Sequence, residues 1–122
     1  MQGLYETDSS VVVWWATEIE CTSAIALRQR LGQLREAIVT EAFVRLSALK
    51  AAWHEVEAGE DVREVAKRLV RVHDLRTADG LQLAAALFVA EARPSTLKFV
   101  SLDDRLLVAA RREGFPTTPR GA

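Results

Sequence analysis

The hydrophobic pattern changes period along the chain, and the changes mark elements. Val11-Val12-Val13-Trp14-Trp15 is a β-branched and aromatic run without alternation, which predicts a parallel strand covered on both faces. Thr17-Glu18-Ile19-Glu20 then matches a capping box, in which the hydroxyl and the carboxylate three residues on satisfy the first free amides of a helix. A helix from about Glu18 to Leu31 is expected, ended by Gly32. Val39, Ala42, Leu46, Leu49, Trp53 and Val56 recur at spacings of three and four, which predicts a long amphipathic helix over Glu36 to Glu57. Ala58-Gly59-Glu60-Asp61 breaks it. Val62, Val65, Ala66, Leu69 and Val70 mark another helix to about Val72, and the two are expected to pair as an antiparallel hairpin.

In the second half, Asp74 to Asp79 holds two candidate caps, and Leu81 to Ala92 is rich in helix formers with small residues that permit close packing. Arg93-Pro94-Ser95-Thr96 stops that helix. Leu97 to Ser101 is expected as a strand, Asp104 to Glu113 as a helix with Gly114 at its C′ position, and Phe115-Pro116 as the start of an extended piece. Alternating strands and helices imply an α/β fold with a small parallel sheet. A chain of 122 residues suits one domain over 1–122.

Composition narrows the function classes. Apolar residues make up 49% of the chain, enough for a core without a staple. The single cysteine, Cys21, leaves no intrachain disulfide and is expected to be a small buried hydrophobe. No segment has the apolar length of a membrane span or the layout of a signal peptide, so a soluble, cytoplasmic protein is expected. With 16 basic against 17 acidic residues, the whole-molecule field does not steer the chain toward nucleic acid, and any binding patch must be local. The bases are mostly arginines. On Glu-rich helices these favour solvated pairs one turn apart, with Arg105 and Arg111 as candidate phosphate contacts. His54 and His73 lack metal-like spacing and are expected on helix surfaces, in structural or solvent-facing positions. Of Trp14 and Trp15, at least one must pack inward.

Three acids fall at junctions between elements: Glu20 after the first strand, Asp79 at the opening of the Ala/Leu-rich helix, and Asp103 after Leu97 to Ser101. Each alone is explained as a capping or dipole-complementing carboxylate, and Asp104 is expected to be such a cap. Together they suggest more, because the carboxyl ends of parallel strands form a crevice where distant acids converge. Carboxylates within ~4 Å repel by several kcal/mol at an effective dielectric near ~20, so such a cluster calls for a cation or retained protons. Hard divalent cations bind through carboxylate oxygens and water.

With the acids placed, the chain resembles the PIN-domain family, in particular VapC-like ribonuclease toxins of toxin–antitoxin pairs. The residues that carry this are Val11 to Cys21, Leu75-Arg76-Thr77-Ala78-Asp79-Gly80-Leu81 with the Ala/Leu run after it, and Phe99-Val100-Ser101-Leu102-Asp103-Asp104-Arg105-Leu106-Leu107. The resemblance implies an α/β/α sandwich and a set of acids that holds Mg²⁺ or Mn²⁺ for RNA hydrolysis. Glu20, Asp79 and Asp103 would be the second, third and fourth of that set, and Ser101 a hydroxyl beside the last. It further implies an RNA substrate and a cognate antitoxin protein. The family's first acid ends an N-terminal hydrophobic strand in an apolar-apolar-Asp-x-Ser pattern. Asp8-Ser9-Ser10 imitates that motif without the preceding strand and is rejected as the ligand, so the sandwich is expected to be N-terminally incomplete and the chain a weak nuclease as it stands. A sheet short of a strand leaves ladder groups and apolar surface to cover, so a homodimer is expected. The alternative is a non-catalytic PIN-like interaction module that dimerises or binds an antitoxin-like partner.

Overall fold

The computed structural model describes residues 11–91, 93–101 and 103–117. The described residues form five α-helices and a two-stranded parallel sheet, an α/β arrangement. The chain divides by its internal contacts into two compact units, Met1–Glu55 and Val56–Ala122. No described helix is long and apolar enough to cross a membrane.

In the first unit, the β-branched run forms β1, Val12–Trp14. It is shorter and less covered than expected: Trp14 is buried, Val11 to Val13 are half-buried, and Trp15 is 48% exposed. The two indoles meet edge to face at 6.2 Å between centroids. Helix α1 spans Thr17–Arg30. Its N-cap is Ala16, without a side-chain cap, which corrects the capping box. The Thr17 hydroxyl turns back and accepts from the Trp14 N–H at 3.1 Å, so it ties the helix to the strand instead of capping. At the other end Gly32 takes φ +74. There the Gln33 N–H donates to Arg28 O at 2.9 Å and the Gly32 N–H to Gln29 O at 3.0 Å, a Schellman closure that needs a residue tolerant of the left-handed region.

Helix α2, Glu36–Ala52, packs against α1 and buries Val39 and Leu46. Glu18 and Lys50 join the two helices in an exposed ion pair at 2.7 Å. Trp53 leaves helical geometry (φ −87, ψ 161), and β2, His54–Val56, follows, beginning at the His54 N–H donated to Val11 O at 2.8 Å. The expected helix to Glu57 is therefore wrong over its last turn, and a strand stands within the expected helical hairpin. The spacing from Trp53 to Val56 is compatible with a helix, but pairing with β1 satisfies the backbone there, and tertiary context overrides local preference. His54 accordingly lies on a strand and is exposed.

The second unit is built on α3, Glu60–Val72, and α4, Thr77–Val89. Val62, Ala66 and Leu69 of α3 and Leu83, Ala84, Ala85 and Leu87 of α4 are buried, as the apolar periodicity requires. A Cβ on Gly80 would lie 2.5 Å from Val70 Cγ1, so the absence of a side chain lets α3 and α4 approach closely. Helix α5, Asp104–Arg112, packs on α4 and buries Leu106, Leu107, Ala109 and Ala110, and Gly114 follows it with φ +102. The expected strand over Leu97 to Ser101 reduces to one parallel bridge, Phe99 to Thr117, with Phe99 N–H donated to Pro116 O at 2.8 Å. Phe99 and Phe115 are both buried, with ring centroids 5.6 Å apart.

Candidate functional site

Asp79 stands in the first turn of α4, directly after the short connection that leaves α3 at His73. Asp103 is the N-cap of α5: its Oδ1 accepts from the Leu106 N–H at 3.1 Å. Its own N–H donates to Ser101 Oγ at 3.0 Å, so the hydroxyl singled out in the sequence orients this residue. A carboxylate offers about four lone-pair positions, and capping uses one of them. The two aspartates, with Asp104, Arg76 and Arg105, line an open cavity of ≈ 420 Å³. Arg105 also reaches Asp74, with Nε 3.8 Å from Oδ2, both side chains being exposed.

The neighbouring charges in this cavity act on Asp79. Partial burial, and then the negative charge of Asp103, push the Asp79 carboxyl above its ordinary value; Arg76 and Arg105 oppose the shift. Asp79 thus prefers its neutral form more than a solvated aspartate does, and a cation placed between the two carboxylates would relieve it. Both carboxylates also sit at helix N-termini, whose partial positive charge favours anions. No three His, Cys, Asp or Glu side chains among the described residues stand together as a metal cage. Mg²⁺ does not need one, since it keeps several waters and is bound through one or two carboxylates. The hard-oxygen pair Asp79 and Asp103 fits such an ion.

Within the second unit, then, two of the acids chosen from the sequence, Asp79 and Asp103, share one cavity. Glu20 lies on α1 in the first unit, half-buried beside Cys21. Burial, and secondarily the Glu20 charge, push that thiol above its usual value; Cys21 is half-buried, less enclosed than expected. Asp8 lies outside the described residues. Asp104 lines the cavity, whereas the capping role expected of it belongs to Asp103. Arg105 is at the cavity; Arg111 instead donates from Nε to Thr117 Oγ1 at 2.9 Å.

Two features escaped the sequence reading. Arg76 lines the cavity from the N-cap position of α4. A cation at a helix N-terminus opposes the helix dipole, and that local inconsistency was the available signal. His73 is buried, not on a helix surface, and its Nε2 lies 2.7 Å from Glu113 Oε2. Forty positions separate the partners, so no local pattern marks the pair.

No protein-family model, curated protein or solved structure matches the chain.

Proposed function

We propose that the chain is a PIN-like, metal-dependent endoribonuclease of the VapC toxin type, with Asp79 and Asp103 as its metal-holding pair. The observation that carries this reading is the shared cavity of the two aspartates, at the positions the family resemblance assigns to adjacent acids. The resemblance adds Glu20 as a further acid of the set, and a PIN-like α/β/α sandwich as the finer description of the fold. When bound, Mg²⁺ or Mn²⁺ would supply polarisation of a phosphodiester and a lowered pKa for water. The chain's own contributions are separable from that chemistry. Asp79 and Asp103 offer oxygens that α4 and α5 hold in place. Arg76 and Arg105 offer guanidinium forks suited to a phosphate, and they offset part of the charge of the acids that line the cavity with them.

The test is cleavage of single-stranded RNA by the purified chain with Mg²⁺, with Mn²⁺ and with EDTA. Divalent-dependent cleavage that Asp79→Asn and Asp103→Asn each reduce by at least about 10²-fold supports the proposal. Equal cleavage by wild type and both variants refutes it.

A second reading has an observation of its own. Helix α1 contains no buried residue, and Ile19, Leu27 and Leu31 are 64%, 50% and 61% exposed, more apolar surface than a solvated helix ordinarily presents. This favours a non-catalytic interaction module, a homodimer or the binder of an antitoxin-like helix. Intact assembly with the aspartates dispensable would select it.

A further inference from the structure

At the C-terminal ends of α3 and α5, away from the acids, three charged or polar side chains form a closed cluster. Arg68 donates from Nη2 to Glu113 Oε1 at 2.8 Å and from Nη1 to Oε2 at 3.2 Å, a two-pronged pair. His73 Nε2 lies 2.7 Å from the same Oε2. The bonds to Arg68 and His73 hold the Glu113 carboxyl below its ordinary value against the opposing effect of burial. An ionised carboxylate only accepts, so Nε2 of His73 carries the hydrogen. The imidazole is 8% exposed, and its Nδ1 is buried with no hydrogen-bond partner among the described residues. An apolar side chain would avoid that unsatisfied atom, so burial alone does not account for an imidazole at this position.

The cluster ties together the two segments that lead to the acids. His73 is the last capping residue of α3, and its backbone starts the connection to Arg76 and Asp79: His73 N–H donates to Leu69 O at 2.9 Å, and Leu75 N–H donates to His73 O at 2.9 Å. Glu113 is the C-cap of α5, whose N-cap is Asp103. The apolar face of α5 buries four side chains, which seats the helix, and the charge-assisted, two-pronged pair adds a directional tie at its C-terminal end. A helix of this length is a lever of about 13 Å at ~1.5 Å per residue, with the cluster at one end and Asp103 at the other.

We propose that Arg68, His73 and Glu113 are positioning residues of the acid cavity, locking α5 to the end of α3 so that Asp103 and Asp104 face Asp79. The metal arm of the test rests on the nuclease reading; the geometric arm does not. Two-dimensional amide NMR of the full chain is compared for wild type, Glu113→Ala and Glu113→Gln, with Mn²⁺ affinity measured by calorimetry on the same samples. Glu113→Ala is expected to move the amide signals of Asp103, Asp104, Arg105 and Asp79 as well as those beside residue 113, and to weaken Mn²⁺ binding about tenfold, the usual effect of losing an outer supporting group. Glu113→Gln, which keeps one acceptor oxygen but loses the charge and the second prong, should fall between wild type and Glu113→Ala in both. If Glu113→Ala fails to fold by circular dichroism, His73→Phe, which fills the volume without the bond, takes its place with the same expectations. Signals that move only beside residues 68, 73 and 113, or an unchanged Mn²⁺ affinity in a folded variant, overturn the proposal. If wild type binds no Mn²⁺ the nuclease reading fails, and the NMR pattern alone then decides the positioning role.

Discussion

Asp103 performs two tasks that substitution can separate. As N-cap it accepts from Leu106 N–H, a task that asparagine performs nearly as well and alanine does not. As an acid beside Asp79 it supplies negative charge, which asparagine lacks. Asp103→Asn should therefore keep the thermal midpoint close to wild type while abolishing divalent-dependent cleavage. Asp103→Ala should lose cleavage and also about 0.5–2 kcal/mol of stability in urea titration. Equal destabilisation by both variants would mean that charge, not capping, dominates at this position. The aspartates were legible in the sequence because each begins a helix after a break. Arg76 and His73 were not, since their roles exist only through partners that the fold brings from elsewhere.

Gly80 shows how an element can depend on a missing side chain. In an exposed helix, Gly→Ala stabilises by about 1 kcal/mol. Here the added Cβ would meet Val70 Cγ1 at 2.5 Å, and a β-branched side chain has few rotamers to move into. Gly80→Ala should instead cost about 1–3 kcal/mol by overpacking, and Val70→Ala in the same chain should recover most of it; a double-mutant cycle by urea unfolding measures the coupling. Additive effects would show that α3 and α4 separate at no cost. The small residues after Leu81 had pointed to close packing, and helices with a clear apolar stripe, α3 and α5, were found where the pattern put them. What could not be seen was β2, because Val56 is equally spaced for the end of a helix and the inward position of a strand. The segment Leu97 to Ser101 carried a strand's composition, yet only Phe99 makes a ladder contact among the described residues. Composition specifies burial of one face and leaves the extent of pairing to neighbours that are distant in sequence.

For the whole molecule, the two shifted carboxyls make opposite contributions to stability, and a divalent ion should act on only one of them. Glu113 has a folded pKa lowered by Arg68 and His73. Its contribution is present above the unfolded carboxylate value of about 4.3 and is lost as pH falls through the lower folded value. Asp79 has a folded pKa raised by burial and Asp103. Its contribution is present below about 3.9 and is lost as pH rises through the folded value. Thermal midpoints of metal-free protein should thus rise as Glu113 ionises and then sag as Asp79 ionises next to Asp103. Mn²⁺ binds the ionised pair, so it should lift the midpoint only above the sag, by the equivalent of about 2.7 kcal/mol when present at ~100 times its dissociation constant. Asp79→Asn should remove both the sag and the Mn²⁺ response while leaving the acid-side loss due to Glu113 in place. Thermal scans between pH 3 and pH 8, with Mn²⁺ and with EDTA, read all three effects. A Mn²⁺ response that survives in Asp79→Asn would place the ion away from this cavity, and the absence of a response in wild type would remove the metal from the account altogether.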